Sequence, residues 1–149
     1  MTTSSQADIL LVEDNPDDVE LTLRSLKKNN VTNRVAAVQD GAEALEYLFA
    51  TGRYADRSIS NPPKVILLDL KLPLVSGIEV LRRCKGDERT RQIPIVVLTS
   101  SREEPDVHTC YELGVNSYIV KPVDFQQFTE AVRQVGLYWL LLNEAPTVS

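Results

Sequence analysis

The sequence predicts an α/β domain built on a parallel sheet, and two observations carry the prediction. Five short runs rich in β-branched residues or leucine recur along the chain: "DILLV" (8–12), "RVAAV" (34–38), "KVILL" (64–68), "IPIVVL" (93–98) and "SYIV" (117–120). Each is followed by residues with helical spacing, and such alternation belongs to parallel strands joined by crossover helices. The runs are also almost continuously apolar instead of alternating, which fits strands covered by helices on both faces.

The helices carry their own punctuation. Asn15 suits an N-cap and Pro16 the first helical position, after which Val19, Leu23 and Leu26 form a stripe running to about residue 29. Asp40 with Glu43 reads as a capping pair opening a second helix, with Ala44, Leu45 and Leu48 facing inward and Gly52 as its stop. Residues 51–63, "TGRYADRSISNPP", form a long connection rich in turn residues, read as a surface excursion within one domain. A third helix is expected over residues 76–86, a fourth over 103–113 with Gly114 ending it, and a fifth after Pro122. The expected core spans residues 8–143, with short frayed ends.

Composition narrows the function. With 149 residues, 43% hydrophobic and 25% charged, the chain has room for one sizeable core. Its net charge of −5, without a basic cluster, argues against nucleic acid as a direct ligand. No run reaches transmembrane length and the first residues lack the features of a secretory signal, so no membrane partner and a cytoplasmic location are expected. Cys84 and Cys110 lack metal-ligand or CxxC spacing and read as reduced structural thiols. His108 and the three basic residues Arg82, Arg83 and Lys85 read as surface residues, the latter on one solvated helix face.

In a doubly wound sheet, ligands bind outside the carboxyl ends of the strands. Here the first strand ends in Glu13 and Asp14, the third in Asp69, the fourth in Thr99 and Ser100, and the fifth in Lys121. Three carboxylates on one edge repel one another unless a cation binds among them, and oxygen donors of this kind favour Mg²⁺. Lys121 and Thr99 add an ammonium and a hydroxyl, groups suited to the equatorial oxygens of a phosphoryl group, and a carboxylate can itself accept phosphoryl as an acyl phosphate.

These residues resemble the receiver domain of two-component response regulators. The acidic pair, "LLDLKLPLVSG", "VVLTS" and "YIVKP" stand in order at the strand ends. The resemblance implies a flavodoxin-like, five-stranded sheet ordered 2-1-3-4-5 and a protein that accepts a phosphoryl group from a sensor histidine kinase in a Mg²⁺-dependent reaction. It makes Asp69 the phosphoacceptor, Asp14 a direct metal ligand, and Glu13 a partner acting through metal-bound water. Lys71 would offer its backbone carbonyl to the metal, Thr99 and Lys121 would bind the phosphoryl group, and the Lys121–Pro122 bond would be cis. Thr99 and Tyr118 would form the switch that passes phosphorylation to the face of helix four, strand five and helix five. Asp17 and Asp18, in the first helical turn, are read as helix-dipole partners ahead of a metal role.

Other classes fare worse. "VEDNPDDVE" puts acids where a dinucleotide-binding fold needs glycines, and no GxxxxGK[ST] motif exists. Aspartate-nucleophile phosphohydrolases place a general-acid aspartate two residues after the first, where this chain has Lys71. The remaining alternative is a receiver-like interaction module that no longer takes phosphate.

At the end of the chain Phe125, Phe128, Val132, Val135, Trp139 and Leu142 form one apolar seam, and Leu137, Tyr138, Leu140 and Leu141 lie off it. An apolar circumference this broad favours a homodimer through helix four, strand five and helix five, with Phe128, Tyr138, Trp139, Leu140 and Leu141 at the interface, over a tail folded back on its own domain. No DNA-binding or catalytic segment follows, so signalling through protein contacts is expected. The long loop before strand three and the apolar helix five are similar to the single-domain regulators that partner phytochrome-type histidine kinases in cyanobacteria.

Overall fold

All five apolar runs form strands in the structure, a computed structural model that describes residues 7–29, 31, 33–100, 105–115 and 117–136. The strands are β1 (Ile9–Val12), β2 (Val35–Val38), β3 (Val65–Asp69), β4 (Ile95–Thr99) and β5 (Ser117–Val120). They pair in parallel in the order β2-β1-β3-β4-β5, as the resemblance implied. Between them run α1 (Pro16–Lys28), α2 (Gly41–Phe49), α3 (Gly77–Lys85), α4 (Pro105–Glu112) and α5 (Phe125–Gln134). Leu137, Tyr138, Trp139, Leu140, Leu141 and Leu142, together with Ser101 and Glu103, lie outside the described residues.

The continuous apolar runs have the consequence expected of them. Alternate side chains of one strand enter opposite layers, so Leu10, Val12, Ile66, Leu68, Ile95 and Val97 pack under α2, α3 and α4. Ile9, Leu11, Val65, Leu67, Val96 and Leu98 pack under α1 and α5 on the other face. β1, β3 and β4 are buried along their whole length, whereas edge strand β2 is half-open. Full burial of a side chain such as Leu67 or Phe128 contributes about 1.5–3 kcal/mol.

Capping follows the sequence closely. Asn15 Oδ1 accepts from the Asp17 and Asp18 amides, Asp40 Oδ1 from Glu43, Ser76 Oγ from Glu79 and Asp124 Oδ1 from Gln127. The end of α2 differs from expectation. Ala50, not Gly52, takes the left-handed position (φ 56°), and the Thr51 amide donates to the Glu46 carbonyl. Gly52 follows with φ 54° and opens a 3₁₀ turn, Gly52–Tyr54. In α1, Thr22 is buried while Leu23 is 37% exposed, because the helix faces the sheet through Val19, Thr22 and Leu26.

Residues 51–63 are anchored more firmly than a surface excursion requires. Tyr54 donates to Glu43 Oε2 at 2.7 Å, and its ring meets Tyr47 edge-on at 5.0 Å. Buried Arg57 donates to the Tyr47 and Asn61 carbonyls, with its guanidinium 3.9 Å above the Tyr47 ring. Lys85 also departs from the expected solvated face, since it is half-buried and donates to the Arg91 and Ile93 carbonyls at 3.2 Å. Arg82 and Arg83 are exposed, His108 lies at the surface beside Glu112, and Cys84 and Cys110 are buried thiols outside any disulfide, all as read from the sequence.

Candidate functional site

Four strands deliver polar side chains to one edge of the sheet, and the register fixes their relation. Asp69 pairs with Leu98 and Thr99 with Val120, so the carboxyl ends of β3, β4 and β5 finish almost level. Glu13, Asp69 and Thr99 are buried, while Asp14 is exposed at the mouth. With Lys71 and Lys121 they line a cavity of about 190 Å³.

Lys121 holds the centre. Its ammonium donates to Asp69 Oδ2 at 2.8 Å, Glu13 Oε1 at 3.1 Å and Asp18 Oδ2 at 3.1 Å. Three acceptors use all three of its N–H groups. Burial opposes its charge, but the hydrogen bonds to Asp69 and Glu13 outweigh this and raise its pKa above the ordinary lysine value. At Glu13 the neutral form is favoured instead: its pKa is raised to about 7, first by burial and then by the adjacent Asp69 carboxylate.

The backbone completes the frame. Asp69 Oδ1 accepts from the Lys71 amide at 2.9 Å, and Glu13 Oε2 accepts from the Asn15 amide at 3.2 Å. The Lys121 amide donates to the Thr99 carbonyl at 2.8 Å, and the Lys121–Pro122 bond is cis. Behind it, Gln127 of α5 takes the place of a further strand. Its side-chain oxygen accepts from the Val120 amide at 3.0 Å and its amide nitrogen donates to the Val120 carbonyl at 2.9 Å. Gly77 allows the start of α3 to lie against the loop after β3, since a Cβ there would sit 2.3 Å from the Asp69 carbonyl oxygen.

Glu13, Asp14 and Asp69 each offer an oxygen, and these oxygens lie within 4.8 Å of one another. An all-oxygen anionic set of this kind can hold a hard divalent cation. Tyr118 is half-buried on β5, edge-on to Tyr111 with ring centroids 6.2 Å apart, beside a 310 Å³ cavity against α5. One interface assignment is corrected. Phe128 is 0% exposed and anchors α5 in the core with Val132 of the same helix and Ile119 of β5, so it cannot reach a partner. The sequence reading missed Gln127, and it read Asp18 as a helix-dipole partner where the structure also pairs it with Lys121.

A sheet of this order, with this polar edge, defines a flavodoxin-like receiver domain. The chain belongs to the response regulator receiver family, whose sequence pattern matches residues 9–133. It is therefore a two-component signalling protein. Its relatives include phytochrome response regulators. The solved bacteriophytochrome response regulator AtBRR is 55% identical, covers 93% of this chain and 99% of its own, and superposes with a TM-score of 0.84. The phosphorylated cyanobacterial phytochrome response regulator RcpA is 39% identical, with 95% and 99% coverage and a TM-score of 0.74. Response regulator Rcp1 of Synechocystis sp. is 38% identical over 132 residues, 89% of this chain and 88% of its own. In its Mn²⁺-bound crystal form Rcp1 superposes with a TM-score of 0.72 at 36% identity, covering 96% of this chain and 97% of that one.

Proposed function

We propose that this chain accepts a phosphoryl group on Asp69 from a cytoplasmic sensor histidine kinase of the phytochrome type and passes the signal on through protein contacts. The observation that carries the reading is the Asp69 carboxylate, held 2.8 Å from the Lys121 ammonium beside Glu13 and Asp14. Asp69 attacks phosphorus through a carboxylate oxygen, the bond from phosphorus to the donor nitrogen breaks, and the electron pair leaves on the donor imidazole. Glu13, Asp14, Asp69 and the Lys71 backbone carbonyl would hold Mg²⁺, which when bound neutralises charge on the phosphoryl oxygens. Lys121 and Thr99 orient the transferred group, and the Lys71 amide remains on the acceptor carboxyl.

Thr99 moving toward the phosphoryl group frees space into which Tyr118 turns, which alters the face of α4, β5 and α5. That face is the proposed homodimer contact, and the apolar character of the sequence at Tyr138, Trp139, Leu140 and Leu141 supports it. A concentration-independent monomer mass in light scattering, with and without phosphorylation, would remove the dimer.

The acceptor is tested by intact mass after incubation with Mg²⁺ and acetyl phosphate. Wild type gains one phosphoryl group and Asp69→Asn gains none. No gain by wild type would leave a receiver-like module that no longer takes phosphate.

A further inference from the structure

The ammonium of Lys121 is saturated by Asp69, Glu13 and Asp18, and these acceptors differ in kind. Asp69 and Glu13 belong to the acidic set that can hold a cation, whereas Asp18 stands apart from it on the first turn of α1. Its side chain is 29% exposed, against 7% for Asp69 and 2% for Glu13. Asn15 fixes this turn by accepting from the Asp17 and Asp18 amides, so Asp18 approaches Lys121 from a braced backbone.

A phosphoryl group arriving at Asp69 must take at least one N–H from these acceptors. A carboxylate outside the acceptor and metal set then becomes its direct competitor for the ammonium. We propose that Asp18 is a positioning residue that tethers Lys121 toward α1 and weakens its hold on the incoming phosphoryl group. The inference rests on the reading of Asp69 as phosphoacceptor.

Asp17 supplies a matched control. It lies in the same helical turn and is exposed, so Asp17→Asn removes the same charge and the same helix-dipole contribution without touching the lysine tether. Initial rates of phosphorylation by acetyl phosphate, read by intact mass at fixed Mg²⁺, separate KM from kcat. Asp18→Asn lowers KM by about three- to tenfold and leaves kcat within about twofold, the signature of altered uniform binding. Asp17→Asn leaves both unchanged, and Asp18→Glu returns KM toward wild type. Calorimetric titration with Mg²⁺ alone gives Kd values within about twofold for wild type and Asp18→Asn, since Asp18 is outside the cation set.

An unchanged KM in Asp18→Asn, or equal shifts in both asparagine variants, overturns the tether while leaving the phosphoacceptor intact. A large loss of Mg²⁺ affinity in Asp18→Asn also overturns it, by making Asp18 part of the cation site. Failure of wild type to gain phosphoryl overturns the phosphoacceptor reading itself.

Discussion

Glu13 makes the stability of this protein depend on pH in a direction opposite to that of most carboxylates. Its pKa is raised from 4.5 to about 7, because it is buried and faces Asp69. Between these values the unfolded chain releases the proton and the folded chain keeps it, so raising the pH costs stability. The contribution is complete below the unfolded value and is lost as pH rises through the folded one. Lys121 stays charged throughout this range, since its own pKa is raised, and it contributes no slope. Asp87, held down to about 2 by the Arg89 side chain and amide, acts in a lower window that does not overlap.

The magnitude follows from the shift. Linkage gives at most about 1.4 kcal/mol per pH unit, or about 2–3 kcal/mol between about pH 5 and about pH 8. Urea unfolding in the presence of EDTA measures it. Wild type should lose stability across this range while Glu13→Gln varies by less than about 0.5 kcal/mol, because the variant carries no proton to release. Saturating Mg²⁺ should flatten the wild-type curve by offsetting the repulsion between Glu13 and Asp69. A wild-type slope as shallow as that of Glu13→Gln would refute the reasoning.

Three other substitutions probe the frame. Gly77→Ala places a Cβ 2.3 Å from the Asp69 carbonyl oxygen and 2.6 Å from the Leu70 Cα, both backbone atoms that cannot swing away. It should lower unfolding stability by about 1–3 kcal/mol and slow phosphorylation, and a denaturation midpoint equal to wild type would count against the close packing. Gln127→Leu leaves both polar groups of Val120 without their side-chain partner. A loss of about 1–3 kcal/mol in chemical denaturation is expected, together with slower acceptance of phosphoryl at unchanged Mg²⁺ affinity. Lys71→Ala keeps the hydrogen bond from its backbone N–H to Asp69 Oδ1 but removes a charged side chain from the mouth, so the acyl phosphate should decay at a different rate. Decay curves that superimpose, read by intact mass after quenching, would exclude a role for that side chain.

What the sequence disclosed and what it concealed divides along a physical line. Features set by neighbours in the chain were legible: the caps at Asn15 and Asp40, the fully buried runs, and the polar residues where those runs end. Strand order came only from the resemblance, because parallel pairing joins residues separated by whole crossover units. The same distance hid Gln127, whose partner Val120 lies across the β5 to α5 connection, and the contact between Lys121 and Asp18, which spans the domain. Arg57 reads as a polar loop residue until the Tyr47 ring is seen beneath it. In α1 the spacing favoured Leu23, but the helix is rotated so that Thr22 is buried instead.

The charges at the strand ends do not balance, and this imbalance links the resting fold to its chemistry. Glu13, Asp14, Asp18 and Asp69 are four carboxyl groups lining one cavity with the two lysines Lys71 and Lys121, and the Lys71 and Asn15 amides add partial compensation. Arranged for stability alone, such an edge would carry fewer acids, since a buried carboxylate beside another is costly. Lys121 limits that cost by bridging Asp69 to both Glu13 and Asp18, yet accepting a phosphoryl group requires the lysine to loosen from at least one of them. Substitutions that tighten its resting pairing should therefore stabilise the unphosphorylated protein and slow phosphoryl acceptance together, whereas loosening the Asp18 tether should shift both the other way.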